Sequence, residues 1–128
     1  MSQAPADGDP VEWPSVSVVI PTVNRVEELA RAVRSVLDQD YPGFVECIVV
    51  FDGTVPTTPD VPVPDNRELR LAVNSRTKGL AGNRNSGLDL AVGDYVAHCD
   101  DDDEWLPEVV PDIVEVEVAV PRLRSAAW

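Results

Sequence analysis

The chain has 128 residues, enough for one domain with a real hydrophobic core but few for an enzyme with two substrates. Its 23 acidic and 10 basic residues give a net charge of −13, which argues against nucleic-acid partners because their phosphates would be repelled. A hydrophobic content of 44% excludes a chain disordered by composition. With no signal-like segment and no apolar run of roughly 20 residues, we expect a cytoplasmic domain without a membrane span.

The first third of the chain predicts a leader, a strand and a helix. Residues 1–14 are polar and contain prolines, which indicates a flexible leader. The β-branched run Val16–Ile20 predicts a buried parallel strand that ends at Pro21. Asn24 is the predicted cap of a helix, since apolar residues recur at helical spacing from residue 26 to residue 37.

Two further strands and a second helix are predicted next. The apolar run Cys47–Phe51 predicts a strand that ends at Asp52-Gly53, and the four prolines of residues 54–66 exclude a regular helix there. Alternation over Leu69–Val73 predicts the third strand, and residues 79–92 predict the second helix. Both cysteines of the chain, at positions 47 and 99, fall in strand-like apolar runs, which favours buried free thiols over a disulfide.

Four aspartates, Asp100 to Asp103, follow the fourth predicted strand, Tyr95–Cys99. Carboxylates so close together repel one another, and a divalent cation would relieve that repulsion. Hard oxygen ligands suit Mg²⁺ or Mn²⁺, and those ions suit the phosphates of a nucleotide. The alternative is a solvated acidic turn in an acidic protein, and the four residues alone leave both interpretations open.

The alternation of strands and helices predicts an α/β fold, with a mostly parallel sheet and helices on its faces. Ligands of such sheets bind beyond the carboxyl ends of the strands. Three polar segments, Pro21 to Arg25, Asp52-Gly53 and Asp100 to Asp103, follow predicted strands and are therefore expected to meet at that edge.

Five segments occur in an order that resembles a known family. They are Val-Ser-Val-Val-Ile-Pro-Thr from residue 16, Ser-Val-Leu from 35, Ile-Val-Val-Phe-Asp-Gly from 48, Gly-Leu-Ala-Gly-Asn-Arg-Asn from 79, and Asp-Asp-Asp-Asp-Glu-Trp-Leu-Pro from 100. This order is similar to the N-terminal, nucleotide-sugar-binding portion of the family 2 glycosyltransferases. The resemblance implies the GT-A fold with its Rossmann-like half. It also implies metal-dependent transfer of a glycosyl group from a nucleotide-diphospho-sugar to an acceptor hydroxyl, with inversion.

The resemblance also implies a set of site residues. Asp102 is the first expected ligand of Mg²⁺ or Mn²⁺, followed by Asp100 and then Asp103. The donor is expected to be a UDP-sugar, with Asp52 accepting a hydrogen bond from the base. The implied nucleotide-binding residues are Pro21, Thr22, Asn24, Asp52, Gly79, Arg84, Asp100 and Asp101. Strand alternation continued into the loop would turn Asp101 to the opposite face, which would make it a bystander.

The chain departs from the family pattern at four places, one of which is the proline-rich loop over residues 54–66, where the family usually has a helix. Phe51 stands where the family usually has a second aspartate, and Val23 stands where it often has an aromatic residue. After Pro107, alternation over Val114–Val120 predicts a strand rather than a helix. We therefore expect residues 15–107 to form the donor-binding region and residues 108–128 a divergent tail, in a truncated chain with no assignable catalytic residue.

The alternative function is a non-catalytic interaction module. The predicted strand at Val114–Val120 has no neighbour in the sequence with which to pair, and an unpaired edge favours association with a protein partner or with a missing C-terminal half.

Overall fold

The computed structural model describes residues 13–23 and 25–119. Four parallel strands form one sheet in the order β3-β2-β1-β4, and three helices accompany it. The strands are β1 (Val16–Thr22), β2 (Val45–Phe51), β3 (Arg67–Val73) and β4 (Tyr95–His98), and the helices are α1 (Val26–Leu37), α2 (Leu80–Leu90) and α3 (Val109–Ala119). The predicted α/β fold with a parallel sheet is confirmed.

The central strands β1 and β2 are buried along their whole length, as their apolar sequences require. Successive side chains of β1 point to opposite faces of the sheet. Val18 and Ile20 belong to the larger core cluster, together with residues of α1 and α3. Val19 lies on the opposite face, where α2 approaches so closely that a Cβ on Gly87 would lie 2.3 Å from the Val19 side chain.

Pro21 lies within β1, although the sequence predicted that it would end the strand. The residues of β1 point their backbone groups alternately to the two neighbouring strands: Val19 O accepts from Cys99 N, and Thr22 O accepts from Asp52 N. Pro21 therefore points to the β4 side, where pairing has already ended at Val19 and His98. Its missing N–H removes no ladder hydrogen bond, which is why the strand continues.

The strand predicted over Val114–Val120 is wrong for its described residues, which lie in α3. The buried positions Val110, Ile113 and Val114 follow helical spacing, so the alternation further along the segment was misleading. Pro111 lies in the first turn, where no intrahelical hydrogen bond is lost. Since Val110 and Val114 join the main core, the unpaired strand that motivated the interaction module does not exist among these residues.

Three other predictions concern the ends of elements and the cysteines. Arg25, not Asn24, occupies the capping position of α1, and no side-chain capping bond forms there. Asn24 itself and residues 1–12 of the predicted leader lie outside the described residues. Cys47 and Cys99 are buried free thiols, as predicted.

Across the described residues, no helix combines the length and apolar character needed to cross a bilayer.

Candidate functional site

A cleft of about 360 Å³ lies where β1, β2 and β4 end. It is the edge at which the sequence predicted a site, and Asp52 and Asp102 both line it. The other predicted residues that line it are Pro21, Thr22, Gly79, Asp100 and Asp101. Arg84 and Asp103 do not line the cleft, but both approach Asp100, which does. The structure therefore brings most of the predicted residues into one place.

Asp52 is held by two hydrogen bonds at the end of β2. Its Oδ1 accepts from Asn74 Nδ2 at 3.0 Å, and its Oδ2 accepts from Gly79 N at 2.8 Å. The bond from Asn74, followed by that from Gly79, lowers the pKa of Asp52, so the carboxylate stays charged. Gly79 has a φ of 118°, a conformation that side chains rarely allow, and this brings its N–H to Asp52.

Asn74 is a site residue that the sequence interpretation missed. Its Nδ2 donates to Asp52 and to Thr77 O, while its Oδ1 accepts from Arg76 N and Ser86 Oγ. All four hydrogen-bonding positions of this amide are thus used. Asn74 directly follows β3, so the rule that selected Asp52 at the end of its strand would also have selected it.

Replacing Asn74 with alanine is expected to raise the pKa of Asp52 towards its ordinary value, because the first cause of its lowering is removed. A carbon-detected NMR titration of the Asp52 carboxyl group measures this shift. The variant Asn85→Ala is the control, since Asn85 is an exposed amide on α2 that does not line the cleft. An unchanged titration in Asn74→Ala would contradict the role given to this amide.

The acidic loop after β4 divides into outward and inward carboxylates. Oxygens of the exposed Asp100, Asp102 and Asp103 lie within 4.8 Å of one another. Asp101 instead is buried and accepts from Thr22 Oγ1 at 2.8 Å. The idea that strand alternation would turn Asp101 into a bystander is wrong, because β4 ends at His98 and the loop turns. Asp101 ties the acidic loop to the end of β1.

Two arginines approach the outward carboxylates. Arg25 Nη1 lies 3.1 Å from Asp102 Oδ2, and Arg84 Nη2 lies 3.5 Å from Asp100 Oδ1. Three hard oxygen donors this close together fit Mg²⁺ or Mn²⁺, since those ions prefer carboxylate oxygens. His98 does not line the cleft, and burial followed by the nearby Arg84 charge lowers its pKa.

The segment that follows the acidic loop is fixed to the end of α1. Ser35 Oγ accepts from Trp105 N at 2.9 Å, and Gln39 Nε2 donates to Leu106 O at 2.7 Å. Gln39 Oε1 also accepts from Val110 N at 2.7 Å, at the start of α3. Ser35 and Gln39 thus fix the backbone that follows the four aspartates, although neither side chain lines the cleft. Local sequence patterns did not predict this role.

The first turn of α2 forms one wall of the cleft, through Leu80 and Asn83. Asn83 Nδ2 donates to Val50 O at 2.8 Å and so attaches the helix to β2. No acidic residue lies in this first turn, and the negative charge at the positive end of the helix comes from Asp52, which accepts from Gly79 N at the capping position. The helix dipole would also favour an anion bound on this side of the cleft.

Comparison with known proteins gives consistent similarities. The family described as glycosyl transferase family 2 matches residues 17–116. The chain is 38% identical over 97 residues to GalNAc(5)-diNAcBac-PP-undecaprenol beta-1,3-glucosyltransferase of Campylobacter jejuni, covering 73% of this chain and 31% of the relative. It is 31% identical over 91 residues to UDP-Glc:alpha-D-GlcNAc-diphosphoundecaprenol beta-1,3-glucosyltransferase WfgD of Escherichia coli, covering 71% of this chain and 36% of the relative.

Among solved structures, the mannosyltransferase PcManGT of Pyrobaculum calidifontis, in complex with GDP-Man and Mn²⁺, is similar at a TM-score of 0.69 and 25% identity. The similarity covers 81% of this chain and 32% of that chain. The chain thus spans about a third of the length of these relatives.

Proposed function

The chain belongs to glycosyl transferase family 2, and we propose that its cleft binds a nucleoside diphosphate sugar together with Mg²⁺ or Mn²⁺. The observation that carries this proposal is the convergence of Asp52, Asp100 and Asp102 on one cleft from the ends of separate strands. A site of that kind has a carboxylate for the base at one side and a group of carboxylates for a cation at the other.

The proposed donor is a UDP-sugar, with the uracil beside Asp52. Each Asp52 oxygen accepts one protein hydrogen bond and retains a second lone pair, so it can accept the N3–H of the base. The name of the relative WfgD contains UDP-Glc, whereas PcManGT was solved with GDP-Man. We choose uracil because its N3–H is the natural donor to Asp52, and Val23, which also lines the cleft, offers an apolar wall.

Asp102, Asp100 and Asp103 are the residues proposed to hold the cation. When bound, Mg²⁺ or Mn²⁺ stabilises the charge that develops on a departing diphosphate. The positive end of α2 faces the same cleft and favours the same anion. Asp101 and Thr22 contribute by keeping the acidic loop in position.

We further propose that the glycosyl group passes to an acceptor hydroxyl with inversion, as the family resemblance implies. Such a reaction needs a base within reach of the acceptor hydroxyl, and within residues 13–23 and 25–119 we assign none. A cytoplasmic location is part of the proposal, because the free thiols of Cys47 and Cys99 suit a reducing compartment.

Calorimetry with UDP in the presence of Mn²⁺ tests the donor site. Asp102→Ala is expected to weaken binding about 100-fold or more, and Asp52→Ala about tenfold, because the first removes a cation ligand and the second one hydrogen bond to the base. Asp65→Ala, which removes an exposed carboxylate far along the proline-rich loop, serves as the charge-matched control. Equal affinities in all four proteins would refute the site.

A further inference from the structure

Arg25 holds an unusual position between α1 and the acidic loop. Its guanidinium lies 3.1 Å from Asp102 Oδ2 and 3.8 Å from Asp101 Oδ1, and its side chain is 49% exposed. It also lines the cleft at the ends of the strands. The positively charged Arg25 is therefore paired with Asp102, the carboxylate that is proposed to bind Mg²⁺ or Mn²⁺.

The local field explains why this arginine depends on its aspartates. Arg25 occupies the capping position of α1, where the positive end of the helix disfavours a cation. Asp102 and Asp101 provide the negative charge that stabilises the Arg25 guanidinium at this position. The contact with Asp102 is solvent-exposed on both sides, so it exchanges readily for another partner.

A divalent cation on the outward carboxylates would compete with Arg25 for Asp102. Both positive groups favour the same carboxylate, and they repel each other when both are next to it. A diphosphate in the cleft changes this balance, because its oxygens accept charge-assisted hydrogen bonds from a guanidinium. Arg25 then has a new partner within the same cleft.

We propose that Arg25 is an exchangeable counter-ion, which pairs with Asp102 in the cation-free chain and moves to the donor's diphosphate when a divalent cation takes that carboxylate. The inference rests on the proposed donor site and adds a positioning residue to it. Its consequence is coupling: Arg25 opposes the cation when it binds alone and supports the cation and nucleotide when they bind together. By linkage, the bound cation then raises the affinity for the nucleotide, and the bound nucleotide raises the affinity for the cation by the same factor.

The variant Arg25→Gln separates these two effects. With Mn²⁺ alone, followed by the electron paramagnetic resonance of free Mn²⁺, we expect about fivefold tighter binding than in the wild type because the competing ion pair is gone. With Mn²⁺ plus UDP, and separately Mn²⁺ plus GDP, calorimetry should show about tenfold weaker nucleotide binding because one charged contact is lost. Damage to the fold would weaken both, so the opposite signs are diagnostic.

Arg31→Gln is the matched control, because Arg31 lies in the helix that Arg25 caps, its side chain is 56% exposed, and its one ion pair among the described residues is with Glu104, at 3.9 Å. Affinities of Arg25→Gln equal to those of Arg31→Gln, or changed in the same direction in both arms, would overturn the exchange. If at the same time Asp102→Ala abolishes Mn²⁺-dependent nucleotide binding, the proposed donor site is retained and only the exchange of Arg25 is rejected. If the wild type binds neither nucleotide with Mn²⁺, the donor site fails, and this inference fails with it.

Discussion

Replacing Arg67 with methionine is expected to lower the free energy of unfolding by about 3–5 kcal/mol, because five backbone carbonyl groups, most of them partly buried, lose their shared charged donor. Arg67 begins β3, and its guanidinium is partly buried among backbone oxygens at the end of α1 and in the connection to β2. It donates at 2.8–2.9 Å to the carbonyl oxygens of Leu37, Gln39, Tyr41, Gly43 and Asn66.

Urea denaturation of the Arg67→Met variant measures this loss. Arg67→Lys keeps the charge but has three donors without the planar fork, so it should fall between the wild type and Arg67→Met. Arg34→Met is the control, since Arg34 is exposed on α1 and its replacement should change stability by less than about 0.5 kcal/mol. A loss below about 1 kcal/mol for Arg67→Met would contradict the importance of these bonds.

The same connection bears on the site. It lies between α1 and β2, and it includes Gln39, which fixes the backbone after the acidic loop. A variant at Arg67 that remains folded should therefore disturb the acidic loop as well as the core.

The sheet and the location of the cleft were predictable because both depend on patterns that are local in sequence. Short β-branched runs separated by an amphipathic helix specify parallel strands, and the carboxyl ends of such strands share an edge. Asp52 and Asp102 are therefore expected near each other although 50 positions separate their numbers, and the cleft contains both.

The inward turn of Asp101 and the helical state of α3 were not predictable in the same way. Alternation at residues 114–118 fits a strand as well as it fits a helix with a buried stripe. Packing of Val110 and Val114 against the main core, together with the bond from Val110 N to Gln39, selects the helix. Likewise, the hydrogen bond from Thr22 to Asp101 joins residues 79 positions apart, so it depends on the tertiary structure and not on the local sequence.

Neutral amides were missed for a related reason. Gln39 carries no charge and matches no spacing rule, so its value appears only when partners distant in sequence surround it, whereas Asn74 directly follows β3 but was missed because, unlike Asp52, it carries no charge. Asn74 connects β2, β3 and α2, and Gln39 connects α1 with α3. Their bonds determine where the carboxylates lie, whereas the carboxylates themselves were visible in the sequence.

Glu46 is a buried carboxylate near the start of β2, at the end of the sheet opposite the cleft. Its side chain is 0% exposed. It accepts hydrogen bonds from Ser17 Oγ at 2.6 Å, Val92 N at 2.8 Å and Arg70 Nη1 at 3.0 Å. Burial alone would raise the pKa of Glu46, but these bonds outweigh it, and the pKa lies below the ordinary value of 4.5.

Replacing Glu46 with alanine should therefore lower the free energy of unfolding by about 3–5 kcal/mol at neutral pH, since Arg70 and two further donors lose their acceptor.

Because the folded pKa of Glu46 is lowered, its contribution is complete above pH 4.5 and is lost as the pH falls through the folded pKa. Urea denaturation at a series of pH values should show a constant difference between wild type and Glu46→Gln near neutrality that narrows in acid. Glu68→Gln, at the exposed register partner on β3, should show no such difference, and a gap for Glu46→Gln that widens in acid would reverse the assigned sign.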